Sequence, residues 1–360
     1  MSNFDNIYPW AGMRRCNLSD AGQVLAYWGD ASFKDDGSNG QVMVEIPKFW
    51  YRTEVQPSGY RWSISPMPVP GFKLHPAFVR AGQVRDRIYA GAFKACCYDV
   101  SAGAYNLTDA PVIDFTAGTG DKLASIAGAK PISGFENDLT IVKSRVLAHN
   151  RGPGWELIDF LTASAVQMLL LVELGHFNAQ LKIGRGIVDK ASGTGNEAEL
   201  TGQTAALGNA SGAATSNAYN SISYRGLEDW WGNIWEWTDG INITNYRAWI
   251  ADHGFQSDLF AAPYTDSGVT VPNVSGYVAD ISPELDWGFM PSTIGSPASA
   301  TARLCDYYYN PASTVNRAAQ RGGGWNNGLD AGPYLWNVAY ASSARRRDVG
   351  ARLAFLGVSP

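Results

Sequence analysis

A chain of 360 residues with 45% hydrophobic side chains holds enough apolar material for one large core or two ordinary ones. Only 17% of its residues are charged, so solubility rests on Gly, Ser, Asn and Thr, a balance common in secreted, cell-surface and virion proteins. The net charge of −5 lacks the basic field that a nucleic-acid binder needs to displace counterions.

Residues 1–40 read as a lead-in. Met1–Gly12 lacks the basic-then-apolar profile of a secretory signal peptide, so no ordinary export signal is expected. Cys16–Trp28 suits a short hairpin, and Gly29–Gly40 is turn-rich. Gln41–Glu54 is β-branched and aromatic around Pro47, which predicts two short strands or one bulged edge strand. Tyr60–Ser65 reads as its partner, and Phe72–Val79 and Arg87–Cys97 as further strands. Cys96 and Cys97 would then face opposite sides of a strand. With Cys16 and Cys305 they form neither a disulfide framework nor a metal-type spacing, and His75, His149, His176 and His253 are scattered.

Trp155–Leu174 carries a helical pattern that stops at Gly175, a natural residue just past a helix end, with Ala179–Ile187 as an extension. The apolar run Ala163–Leu174, broken by Gln167 and Glu173, falls far below the ~20 residues that span a bilayer. Val188–Ser221 is rich in Gly, Ala, Ser, Thr and Asn and predicts a long irregular insertion, functional or mobile by its length. Short aromatic strands resume at Ile222, with no fixed-period repeat and no linker that would divide the chain.

Three segments stand out. Tyr224–Gly240 places four Trp around a Gly-Asn step, which predicts a tight turn between strands whose rings stack in the core, in preference to a sugar platform. Glu236 lies between Trp235 and Trp237 and should face opposite to them, buried with a partner. Arg321–Trp325, RGGGW, lacks the context of a phosphate loop, so its glycines predict close backbone approach in a β-rich core. The tail from Asn326 to Asp348 has neither helical nor strand periodicity and mixes Tyr, Trp, Arg and Asn, the residues that binding surfaces favour, before a closing strand at Val349–Leu356.

The ordered set GNIWEW (Gly232–Trp237), RGGGW (Arg321–Trp325) and DVGARLAF (Asp348–Phe355), opened by VMVEIPKFWY (Val42–Tyr51), resembles the formylglycine-generating-enzyme branch of the C-type lectin fold. The resemblance covers roughly residues 40–358. It implies an α+β fold of short strands and few helices with long irregular insertions, here a lead-in over 1–40 and a ligand-binding domain over 41–360. The family's oxidases use a pair of cysteines near the RGG motif. The span from Arg321 to Pro360 has none, and Cys305 stands alone. A thiolate-metal oxidase cannot run without thiolates.

The resemblance therefore points to the other class in this branch, the variable proteins of diversity-generating retroelements, among them phage receptor-binding proteins. It implies a non-enzymatic protein of a phage tail or a bacterial cell surface, without catalytic residues, that recognises a host or cell-surface protein or polysaccharide. By the same analogy the chain forms a homotrimer, with no nucleic acid and no membrane span. The region at about 305–355 would be the variable one. Its displayed set would be Tyr307, Tyr308, Tyr309, Asn326, Asn327, Leu329, Asp330, Tyr334, Leu335, Trp336, Asn337, Ala339, Tyr340, Ala344, Arg345, Arg346, Arg347 and Asp348.

Randomised adenines in an Asn codon never yield Lys, Glu, Gln, Met or Trp, and Asn326–Asp348 contains no Lys, Glu, Gln or Met. Trp336 would then be invariant or come from another codon. Arg345–Arg347 is a positive cluster that suits an anionic partner or is merely solvated. No cofactor is expected. A structural calcium is compatible with the resemblance, and Asp229, Glu236, Asp239 and Asn242 supply oxygen donors near one turn without a diagnostic spacing. The alternatives are an oxidase of the formylglycine-generating type with altered chemistry and a carbohydrate-binding lectin with a fixed site.

Overall fold

A computed structural model describes residues 2–57, 59–111, 113–215, 218–295 and 304–357. It is mostly β, with the few helices short or fully enclosed, and among the described residues two sheets dominate. The first is six-stranded and antiparallel, in the order Trp155–Leu157, Leu353–Phe355, Arg87–Gly91, Gln41–Pro47, Arg14–Leu18, Val24–Tyr27. The hairpin expected at Cys16–Trp28 thus forms the edge of this sheet, which ties the first 40 residues into the same core as the closing strand. Around Pro47 the chain makes two strands rather than one bulged strand: Trp50–Gln56 leaves the sheet to pair with Gly59–Ser65.

The second sheet is nine-stranded. Its order is Thr265–Thr270, Arg247–Ile250, Trp235–Thr244, Arg317–Arg321, Trp336–Tyr340, Tyr307–Tyr309, Gly276–Ile281 and Pro291–Ile294, with Val349–Gly350 parallel to Trp235–Thr244. Trp336–Tyr340 lies inside the tail read as aperiodic. Its two faces are both partly apolar (Trp336 and Val338 on one side, Tyr340 on the other), which erases the period-2 pattern.

The long helix is Phe160–Leu174, shorter than expected at its start because Trp155–Leu157 joins the first sheet. Asp159 caps it, accepting hydrogen bonds from the Leu161 and Thr162 amides, and Gly175 ends it at φ +62°. Asp159 also meets the Arg80 guanidinium at 2.9 Å, so the cap is a buried ion pair as well. A second helix, Ile141–His149, has no counterpart in the sequence reading. Its buried face includes Ser144 and Arg145, which hide the apolar stripe, and Arg145 forks onto Asp239.

The three motifs behind the resemblance meet at one buried point. Glu236, from GNIWEW, is reached by Arg321 of RGGGW, by Arg352 of DVGARLAF at 2.7 Å and by Lys94 at 2.8 Å. The Arg321 guanidinium lies 3.6 Å above the Trp230 ring. The Trp-rich segment does not stack ring on ring. Trp230 and Trp231 enter one core cluster and Trp235 and Trp237 the other, with the Gly232–Asn233 turn (φ +78° and +64°) between the two pairs. Gly322 and Gly323 take φ near +85°. A Cβ on Gly323 would sit 3.0 Å from Ala331 and Leu335, which is the close approach its sequence predicts.

The Val188–Ser221 stretch, of which 216 and 217 lie outside the described residues, is irregular but stitched into the core. The Arg15 guanidinium donates to the Thr204 carbonyl, and the Thr204 amide and hydroxyl donate to Glu228. No helix is long and apolar enough to cross a membrane among the described residues.

Candidate ligand-binding face

The tail contributes its side chains alternately to the two faces of the nine-stranded sheet. In Tyr307–Tyr309 the outer two rings share the face of Trp235, while Tyr308, 0% exposed, points into the opposite core. The parallel neighbour continues this alternation, with Tyr309 level with Asn337 and Tyr308 level with Trp336. Asn337 donates to the Gln320 side chain at 3.1 Å on the next strand. The register then slips: Gln320 pairs with Asn337 but Ala318 with Tyr340, so the Trp336–Tyr340 strand holds one extra residue. That bulge turns Tyr340 back to the face of Asn337, where strict alternation would have sent it to the other side.

Tyr277, Tyr307 and Tyr309 form a stepped aromatic row, with ring centroids 5.1 Å apart for the first pair and 4.6 Å for the second. Asp330, in the loop that follows RGGGW, accepts from the Tyr277 hydroxyl at 2.5 Å and from the Tyr309 hydroxyl at 2.8 Å. The Asn327 side-chain amide reaches the Tyr309 oxygen at 3.4 Å. Burial and the Asp330 carboxylate raise both phenols above their ordinary value, so both stay protonated donors across the physiological range. At the other end the Arg346 guanidinium lies 4.6 Å over the Tyr340 ring and forks onto Asp348 at 3.0 and 3.1 Å.

The expected displayed set therefore divides. Asn326, Leu329 and Arg345 are exposed, and Tyr307, Tyr309, Asn327, Asp330, Ala339, Tyr340, Ala344, Arg346, Arg347 and Asp348 are partly so. Tyr308, Tyr334, Leu335, Trp336 and Asn337 are not displayed. Leu335 and Trp336 are fully buried, and the Tyr334 hydroxyl donates to the Gln167 carbonyl in the core at 3.0 Å. For Trp336 the physical reason is the hidden strand: once Trp336–Tyr340 pairs on both sides, alternate residues must face the core, and Asn337 on the other face is taken up by its bond to Gln320. Tyr277 belongs to the face but lies on a strand outside the tail, where nothing in its sequence neighbourhood marks it.

The three arginines are not a free positive patch. Arg345 pairs with Asp138, Arg346 with Asp348, and Arg347 donates to the Gly193 and Gly195 carbonyls. The four oxygen donors weighed for calcium do not converge either. Glu236 and Asp239 are held by cations, Asp229 accepts from Ser221, Asn233 and the Ile222 amide, and the Asn242 amide donates to the Gln256 and Leu259 carbonyls. The four cysteines are free and buried, and burial raises every one of their thiols, Cys96 to about 12. That is the opposite of the activation a thiolate ligand needs.

No known family profile matches the chain, and no curated protein matches it. Among solved structures, the Major Tropism Determinant U1 variant aligns at 11% identity and a TM-score of 0.31, over 95% of this chain and 71% of its own. The Major Tropism Determinant P3c variant aligns at 12% identity with the same score and coverage.

Proposed function

We propose that this protein is a non-enzymatic receptor-binding protein of a phage tail, built on a C-type lectin-like framework, and that it recognises a host-surface protein or polysaccharide. The observation that carries this reading is the convergence of Tyr307, Tyr309, Tyr340, Asn327 and Asp330 on one partly exposed sheet face. Rigid aromatic rings with oriented polar partners supply contact area at small entropic cost. The buried, protonated thiols count against the oxidase alternative. Diversification, on this reading, acts on the partly exposed positions and spares the buried ones.

Two measurements test the proposal. The neighbouring DNA should hold a reverse transcriptase gene and a near-copy of the codons for residues 321–355 that differs at adenines. Purified protein should label host cells, and the double substitution Tyr309→Ala with Tyr340→Ala should abolish labelling while the far-ultraviolet circular dichroism is unchanged. Labelling that survives the double substitution would overturn the assignment of this face.

A further inference from the structure

Behind the same sheet, a groove of about 290 Å³ runs between the hairpin Trp50–Gln56/Gly59–Ser65 and the strand Gly276–Ile281. Gln56, Tyr60, Trp62, Phe177 and Asp280 line it. Phe177, Ile281 and Leu304 also line an adjoining chamber of about 10 Å³ whose other sides include Phe289, Tyr334, Cys305 and Asp306. That volume admits one water-sized group. Its rings are close-set, with centroids 4.9 Å apart for Phe177 and Tyr334 and 5.2 Å for Phe289 and Tyr334, and Trp62 stands 5.8 Å from Phe177.

Asp306 is the anomaly. Other buried carboxylates of this protein are well satisfied: Asp159, Asp239 and Glu236 meet cations, and Asp109 accepts from the Ser133 amide and hydroxyl and from the Asn137 and Asn196 side chains. Asp306 accepts, among the described residues, one amide bond, from Tyr334 at 2.8 Å, and a weak thiol contact from Cys305 at 3.6 Å. Among the described residues no lysine, arginine or histidine forms an ion pair with it. Burial pushes its carboxyl up to about 8. Near neutral pH the carboxyl on its own is therefore mostly protonated, and its ionised form needs a cation beside it.

The missing partner is defined by the chamber. An anion finds no counter-charge here whether the acid is neutral or ionised, and a guanidinium or quaternary ammonium is too large for the space. A primary ammonium matches a single water in size, favours ring faces and, by its charge, favours loss of the Asp306 proton to form an ion pair. We propose that this site binds a primary alkylammonium, with its –NH₃⁺ seated between Phe177, Phe289, Tyr334 and Asp306 and its alkyl stem lying along Trp62 in the outer groove. The exposed Asp280 at the rim places a carboxylate where it draws cations toward the mouth. The rings of this site belong to the core cluster on the other side of the sheet from Tyr307 and Tyr309.

Calorimetric titration of the full chain with n-butylammonium chloride tests this. Saturable binding is expected. Asp306→Asn, which keeps an acceptor for the Tyr334 amide, should weaken it by about tenfold or more, the scale of one lost charge contact. Trp62→Leu, remote from the carboxyl, should weaken it independently, and tetramethylammonium should not bind. Nα-acetyl-lysine methylamide and glucosamine, run as separate titrants, separate a protein side chain from an amino sugar as the natural carrier. Absence of saturable butylammonium binding, undiminished binding to folded Asp306→Asn, or equal binding of tetramethylammonium would each overturn the proposal.

Discussion

Glu236 shows how one side chain joins segments that the sequence keeps far apart. Burial alone would raise its carboxyl, but Arg321, Arg352 and Lys94 overcome that and bring it down to about 2 from an ordinary 4.5. A depressed carboxylate stabilises the fold above its unfolded value and loses that contribution as pH falls through the folded one. Stability should therefore decline between roughly pH 4.5 and pH 2. Glu236→Gln should remove that part of the profile and cost about 3–5 kcal/mol at neutral pH, because three buried cations lose their counter-charge. Urea unfolding across this pH range measures both. Gly332 makes a second residue-scale case. A Cβ there would fall 2.1 Å from both Asp306 carboxylate oxygens, so Gly332→Ala should cost about 1–3 kcal/mol by overpacking, read from the same urea midpoint.

At the scale of the element, the strand Trp336–Tyr340 separates structure from recognition within five residues. Trp336→Ala should cost about 3–5 kcal/mol as a core truncation. Tyr340→Ala, on the partly exposed face where the ring meets Arg346 and the edge of the core, should cost less, about 1 kcal/mol, and appear instead in host-cell binding. Thermal or urea unfolding set beside a cell-binding assay tells the two apart. Tyr308 and Tyr309 should divide in the same way, with Tyr308→Ala lowering stability and Tyr309→Ala lowering binding. In the sequence the three consecutive tyrosines are indistinguishable, since only pairing with Trp336–Tyr340 and Gly276–Ile281 assigns their faces. The helix Phe160–Leu174 was legible from its pattern and its glycine stop, which are local signals, although the pattern places its start at Trp155 and misses the Asp159 cap. The helix Ile141–His149 was not, because the partner of Arg145, Asp239, is supplied from 94 positions away.

For the whole molecule, the six-stranded sheet couples the two ends of the chain: Arg14–Leu18 pairs with Gln41–Pro47, and the closing strand Leu353–Phe355 joins the same sheet two strands further on. Removal of residues 1–40 should therefore leave a chain that does not fold, measured as loss of protease resistance, although its sequence reads as a separable lead-in. Local chemistry alone determined the strand-rich class, the turn at Gly232–Asn233, the close approach at Gly322–Gly323 and the lack of any cysteine after Cys305. Each of these depends on residue type and near neighbours, which a sequence displays directly. Only the tertiary structure decided which tail residues form the face, that Tyr277 joins them, that Arg345–Arg347 are already engaged, and that Asp306 lies underpartnered in an aromatic chamber. Those outcomes depend on register, bulge position and contacts between distant segments, and side-chain periodicity carries no trace of them when both faces of a strand are apolar.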